Sequence, residues 1–90
     1  MPVRINLHPT HRGHAGGAAA VDVHGSTVGE CLADLVRRHP GLGDALFAAD
    51  GTLRRNIEIF LNGASTYPDE VSRPTRDGDE IHVTVMLAGG

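Results

Sequence analysis

Gly89-Gly90 close the sequence, following an alternating apolar run, Ile81-His82-Val83-Thr84-Val85-Met86-Leu87, and then Ala88. Glycine adds no side chain to a core and loses the most backbone entropy when fixed. The pair therefore predicts a use outside the fold: a thin, flexible strip whose carboxylate another protein's active site grips. Other residues could also do chemistry. His8, His11 and His14 recur at spacing three in HPTHRGH, and histidine clusters bind transition metals. No nearby Cys, Asp or Glu completes a ligand set, and a stretch with Pro and Gly is not preformed, so solvated loop histidines and no metal are expected. Cys31, the single cysteine, is a candidate redox or relay thiol. It falls on an apolar stripe where free cysteine packs as a small hydrophobe, and core packing is the expectation. The Gly13–Gly17 stretch lacks the Gly-Lys-Ser/Thr ending of a phosphate loop. Arg37-Arg38 and Arg54-Arg55 read as solvated edges that could meet acidic residues of a partner.

These groups must be positioned by a small body. Ninety residues make one domain that buries only about 60–65% of its unfolded surface. Phe47, Phe60 and Tyr67 are the only aromatics of their class, so the core rests on Val, Ile, Leu and Ala, with little room for a deep cavity. A net charge of −3 argues against a nucleic-acid partner. No apolar stretch approaches the ~20 residues of a membrane span, and the N-terminus lacks a signal-peptide core; a cytoplasmic protein is expected. One cysteine excludes an internal disulfide. All basic residues are arginine, so an activated acyl end would meet no lysine of its own.

Val3, Ile5 and Leu7 alternate with polar residues and predict a half-buried strand. Residues 9–17, with Pro and three Gly, read as a loop; Ala18–Val23 reads as a second strand. Thr27-Val28-Gly29-Glu30 fits a capping box. Val28, Cys31, Leu32, Leu35 and Val36 then form one helical stripe, stopped by Pro40-Gly41. A connection with a short helical turn near Ala45–Phe47 leads to a strand, Ile57–Leu61, ended by the turn pair Asn62-Gly63. A minor element covers 64–75, and Asp77-Gly78-Asp79 turns into a last strand, Glu80–Leu87. One helix and one sheet, each with one apolar face, must pack together, giving a two-layer α+β domain over residues 1–86 with a tail at 87–90.

This element order, Asn62-Gly63, the Asp77-Gly78-Asp79-Glu80 turn and the terminal Leu87-Ala88-Gly89-Gly90 resemble the ubiquitin-like sulfur carriers. These include the small subunit of molybdopterin synthase, the thiamine-pathway carrier and their relatives. The resemblance covers essentially the whole chain, and the 42–56 insertion looks most like the branch that delivers sulfur for cysteine synthesis. It implies a β-grasp fold, a mixed sheet with one main helix across it, and a non-enzymatic cosubstrate role. An activating enzyme would use ATP to adenylate Gly90. A sulfur donor would convert it to a thiocarboxylate, and a biosynthetic enzyme would accept the sulfur. No cofactor is bound by the carrier itself. The same tail admits two alternatives: a modifier joined through Gly90 to lysines of other proteins, or an interaction module with an inert terminus.

The expected partner contacts are Leu87, Ala88 and Gly89 in the strip, with Met86 and Phe60 on the body. If Ile57, Ile59 and Leu61 face the helix, Phe60 faces outward; if Val83 and Val85 face inward, Met86 faces outward. On neighbouring strands Phe60 and Met86 would make one exposed apolar patch near the tail; alternatively, residues 64–75 cover Phe60.

Overall fold

The structure, a computed structural model, describes residues 2–86; the tail residues Leu87, Ala88, Gly89 and Gly90 lie outside the described residues. Five strands form one mixed sheet in the order β2-β1-β5-β3-β4. They are β1 (Val3–Leu7), β2 (Ala20–Val23), β3 (Ile57–Leu61), β4 (Ala64–Ser65) and β5 (Glu80–Val85). Two helices lie between β2 and β3: α1 (Val28–Arg38) and the short α2 (Leu42–Leu46). β1 and β5 run parallel, with Ile5 opposite Ile81 and Leu7 opposite Val83, and the other ladders are antiparallel.

Strand alternation turns Val3, Ile5, Leu7, Val23, Ile57, Ile59, Ile81 and Val83 to one face, where they are buried. α1 covers that face with Val28, Cys31, Leu32 and Leu35, all buried. Leu42 and Leu46 of α2 close one end of this core, with Phe47 and Leu53 packed half-buried against it. Sheet and helix thus bury each other's apolar faces, the dominant stabilising term in a domain this size.

Thr27 caps α1 as its sequence predicts, its Oγ1 accepting from the Glu30 N–H at 3.1 Å, an interaction of about 1 kcal/mol. The reciprocal bond is displaced by one residue: the Glu30 carboxylate accepts from the N–H of Ser26, at 2.8 Å. Thr27 itself bridges to Pro74, and Val28 N–H donates to the Arg73 carbonyl. The helix start is therefore tied to the segment leading into β5.

The loop expected over 9–17 is instead a 3-10 helix, Pro9–Ala15. Pro9 supplies the fixed φ of a first helical position. His8 Nδ1 accepts from the Thr10 N–H, and Gly16 ends the turn at φ 65°. In such a helix residues i and i+3 eclipse, so the three histidines share one side. The middle one, His11, is only 6% exposed, which corrects the expectation that all three are solvated.

The two turn motifs lock onto each other. Asn62 (φ 52°) and Gly63 (φ 85°) take the left-handed conformations of a tight hairpin. The Asn62 carboxamide accepts from Glu80 N–H at 2.9 Å and donates to Asp79 at 3.1 Å. The other Asp79 oxygen accepts from Arg76 N–H at 2.8 Å. These bonds, with Arg76 first and Asn62 second, hold the Asp79 carboxyl below its ordinary pKa. They pin β3 to β5 in one register.

Candidate functional site

β5 is the strand that delivers the chain end. It is paired on both sides, to β1 as far as Val83 and to β3 as far as Val85, so its exit point is fixed by the β3 ladder. Val85 lies opposite Ile57. The last described residue, Met86, donates its N–H to the Asn56 carbonyl at 2.7 Å, and its side chain is 46% exposed.

Beside Met86 opens a cleft of about 890 Å³. Ile57 and Leu53 lie toward the core; Tyr67 and Val71 come from the segment between β4 and β5; Arg54 and Arg55 come from the approach to β3. Tyr67, Val71 and Met86 are the large hydrophobic residues exposed on the described surface, at 74%, 51% and 46%, and all three line this cleft. Their placement is built, not incidental. Thr66 is buried, with both its N–H and its hydroxyl donating to the Ile59 carbonyl, and this anchors the chain just before Tyr67. Val71 rests on Gly29 of α1, where an added Cβ would lie 2.8 Å from the Val71 carbonyl oxygen.

The structure separates the two body residues expected to form one patch. Met86 is at the exit, beyond the start of β3. Phe60 pairs with His82 on one side and Ser65 on the other. His82 and Met86 are four residues apart on β5, about 13 Å at strand spacing. The strands are neighbours, but the antiparallel register places the two side chains at different ends. Phe60 is half-buried on a face that also carries Arg4, Asn6, Glu58, Glu80, His82 and Thr84, so the open sheet face is largely polar. Tyr67 and Val71 escaped the sequence reading. The available signal was a pair of large apolar residues four apart in an otherwise polar stretch.

The other candidates have structural roles. Cys31 is buried, its Sγ 3.6 Å from Thr75 Oγ1 and 3.7 Å from the Gly25 carbonyl. Burial first, and then the surrounding carboxylates, push its thiol pKa up against the effect of the Thr75 bond, so the reactive thiolate is disfavoured. The rings of His8 and His11 are 6.3 Å apart, edge to face. His11 Nδ1 is buried without a hydrogen-bond partner among the described residues. Burial, then the neighbouring His8 and His14, lower its pKa. Among the described residues no three His, Cys, Asp or Glu are placed to hold a metal ion, and no helix is long and apolar enough to cross a membrane. Arg37 and Arg38 both pair with Asp34.

No protein-family model matches the chain. Small archaeal modifier protein 1 of Haloferax volcanii is 38% identical to it over 71 residues, which cover 78% of this chain and 78% of the relative. The chain belongs to the ubiquitin-like sulfur carrier family. The crystal structure of the Haloferax volcanii protein covers 100% of both chains at 29% identity with a TM-score of 0.86. A chain of the Amycolatopsis orientalis BexX/CysO complex matches at 28% identity and a TM-score of 0.85, over 98% of this chain and 99% of that one. The complex of subunits 1 and 2 of molybdopterin-converting factor from Helicobacter pylori shares the fold, at a TM-score of 0.64 and 20% identity. The sheet order and crossing helix are thus those of the β-grasp. In this β-grasp chain the cleft and the strand exit are contiguous through Met86.

Proposed function

We propose that this chain carries sulfur on its own C-terminus. An ATP-using activating enzyme joins the Gly90 carboxylate to AMP, releasing pyrophosphate. A sulfide-level nucleophile from a sulfur donor then attacks the carbonyl, the bond to AMP breaks, and a thiocarboxylate remains for a biosynthetic enzyme to consume. A carboxylate is a poor electrophile, and the adenylate supplies the leaving group it lacks. The carrier contributes position and no catalytic side chain. Its Leu87-Ala88-Gly89-Gly90 strip extends at most about 13 Å from the body, with Gly89 free of a Cβ that would widen it. Met86 and Phe60 are surfaces from which the body could be held. Its place of action is the cytoplasm.

Family membership supports this reading together with β5, which is held by β1 as far as Val83 and by the β3 side up to Met86. The Amycolatopsis relative occurs in a complex with a partner protein, as a carrier requires. A second reading draws on the Haloferax relative's name as a modifier: the same adenylate attacked by a lysine amine of another protein. This chain offers no lysine to itself.

One incubation separates them. The protein, its activating enzyme, ATP and sulfide are mixed and the intact mass is read. A gain equal to replacing one oxygen by sulfur is expected. Conjugates on other proteins in a lysate, without that gain, would favour the modifier. Neither change, with no AMP released, would leave an inert β-grasp module.

A further inference from the structure

We infer that the cleft beside Met86 is where the activating enzyme seats, presenting an apolar side chain flanked by a carboxylate. This rests on the carrier reading above. The exposed large hydrophobic residues of the described surface, Tyr67, Val71 and Met86, converge on this one cleft, and clustered exposed apolar side chains mark interfaces. The open sheet face offers charged and hydroxyl groups instead.

The cleft is pre-shaped. Thr66 anchors one end of its far wall to Ile59, and Val71 is fixed against Gly29. An arriving side chain therefore meets ordered walls and loses less in arranging them. Arg54 and Arg55 form one rim. Arg54 Nε already donates to the Asp44 carbonyl, whereas Arg55 has no ion-pair partner among the described residues. Glu58 and Glu70 also line the cleft, so its cationic character is confined to the Arg54-Arg55 rim, and it is there that a carboxylate of the incoming surface is met.

Reach supplies the occupant. Gly90 is four residues beyond Met86, so the terminus stays within about 13 Å of the cleft at full extension. Any enzyme that closes on the carboxylate must bring its own surface to this exit. Tyrosine and arginine are the residue types on which binding energy concentrates in interfaces.

The test is ATP–pyrophosphate exchange by the activating enzyme over a range of carrier concentrations. Tyr67→Asp and Val71→Asp are expected to raise the carrier KM by about tenfold or more, as loss of a central contact does, with kcat within about twofold. Arg55→Glu should raise KM too, and high salt should narrow its difference from the parent. His82→Asp, on the open sheet face, should leave KM within about twofold. Circular dichroism and melting confirm the fold of each variant, and Tyr67→Ala repeats the test without a new charge. Exchange at the parent KM by Tyr67→Asp and Val71→Asp overturns the inference. So does a larger KM rise in Phe60→Asp, which would move docking to the sheet face. A dimer in sedimentation that Tyr67→Asp dissociates would assign the cleft to a second copy. Faster carboxypeptidase release of Gly90 in Tyr67→Asp would assign it to the chain's own tail. Absence of exchange by the parent protein is a different result: it overturns the carrier reading itself.

Discussion

Gly29→Ala and Gly43→Ala place the same methyl group in two helices and should act in opposite directions. Alanine in a helix interior is better than glycine by up to about 1 kcal/mol; Gly29 and Gly43 each stand second in their helix, so by this effect alone both changes stabilise, by less than that. At Gly43 the new Cβ meets only the Val36 Cγ1, at 3.3 Å, the end of a half-buried side chain that can give. At Gly29 it would lie 2.8 Å from the Val71 carbonyl oxygen and 3.1 Å from the Val71 Cβ. That neighbour is backbone, and it is held: Arg73 accepts from Val28 N–H at 2.8 Å, and Thr75 N–H donates to Ser26 at 2.9 Å. Overpacking of this kind costs about 1–3 kcal/mol. The sum is a net loss of about 1 kcal/mol for Gly29→Ala, a Tm decrease of roughly 4–8 °C in a domain of this size. Gly43→Ala should melt at or above the parent temperature. Scanning calorimetry of the three proteins decides it. If Gly29→Ala raises Tm as much as Gly43→Ala, the close approach of Val71 to α1 is wrong, and with it the fixed wall of the cleft.

Gly89→Val should leave the melting curve unchanged and suppress adenylation, since the strip gains a branched side chain; normal pyrophosphate exchange would refute the narrow-tail requirement. Cys31 should resist iodoacetamide in the native protein and react when urea is added, because its thiol is buried and its pKa raised; rapid native alkylation would reopen a relay role. Asp34 is held down to about 2, chiefly by the His24 N–H and then by Arg37, against a slight burial effect, with Arg38 adding to it. Its folded pKa is below the unfolded value, so it contributes stability at neutral pH that is lost as pH falls from about 4 toward 2. Urea titrations of Asp34→Asn should show a flatter acid limb there. His11 is also depressed: below about 6.5 the unfolded chain binds the proton that the buried ring resists. Stability should therefore decline as pH drops below that value, and less so in His11→Phe.

The sequence exposes those parts of the fold that local physics dictates. Alternation in Val3–Leu7 and Ile57–Leu61, the stripe from Val28 to Val36 and the positive-φ pair Asn62-Gly63 each name their element without reference to the rest of the chain. What escaped depends on register and long-range contact. Alternation places Phe60 and Met86 on the outward face but says nothing of where along the strands they meet. The pairing of Phe60 with His82 is set by the clamp between Asn62 and Asp79, two residues 17 apart. Pro and Gly in residues 9–17 signal a loop, yet Pro9 at a first helical position and Gly16 at a last one serve a 3-10 turn equally well. Tyr67 and Val71 belong to a segment with little periodicity; Tyr67 is placed by the bonds of Thr66 to Ile59, and Val71 by its contact with Gly29, 42 positions upstream. Gly89-Gly90 stood out because nothing in the body accounts for them.

The parallel pairing of β1 with β5 also gives the protein a mechanical property. These strands begin and finish the described chain, and they lie side by side pointing the same way. Tension applied between the N-terminal end and the strip would slide β5 along β1, loading the whole ladder in shear, with the β3 ladder resisting on the other flank. Hydrogen bonds loaded together must break together, unlike those of a hairpin peeled from one end. A pull on the strip against a held N-terminal end is therefore resisted by bonds that share the load.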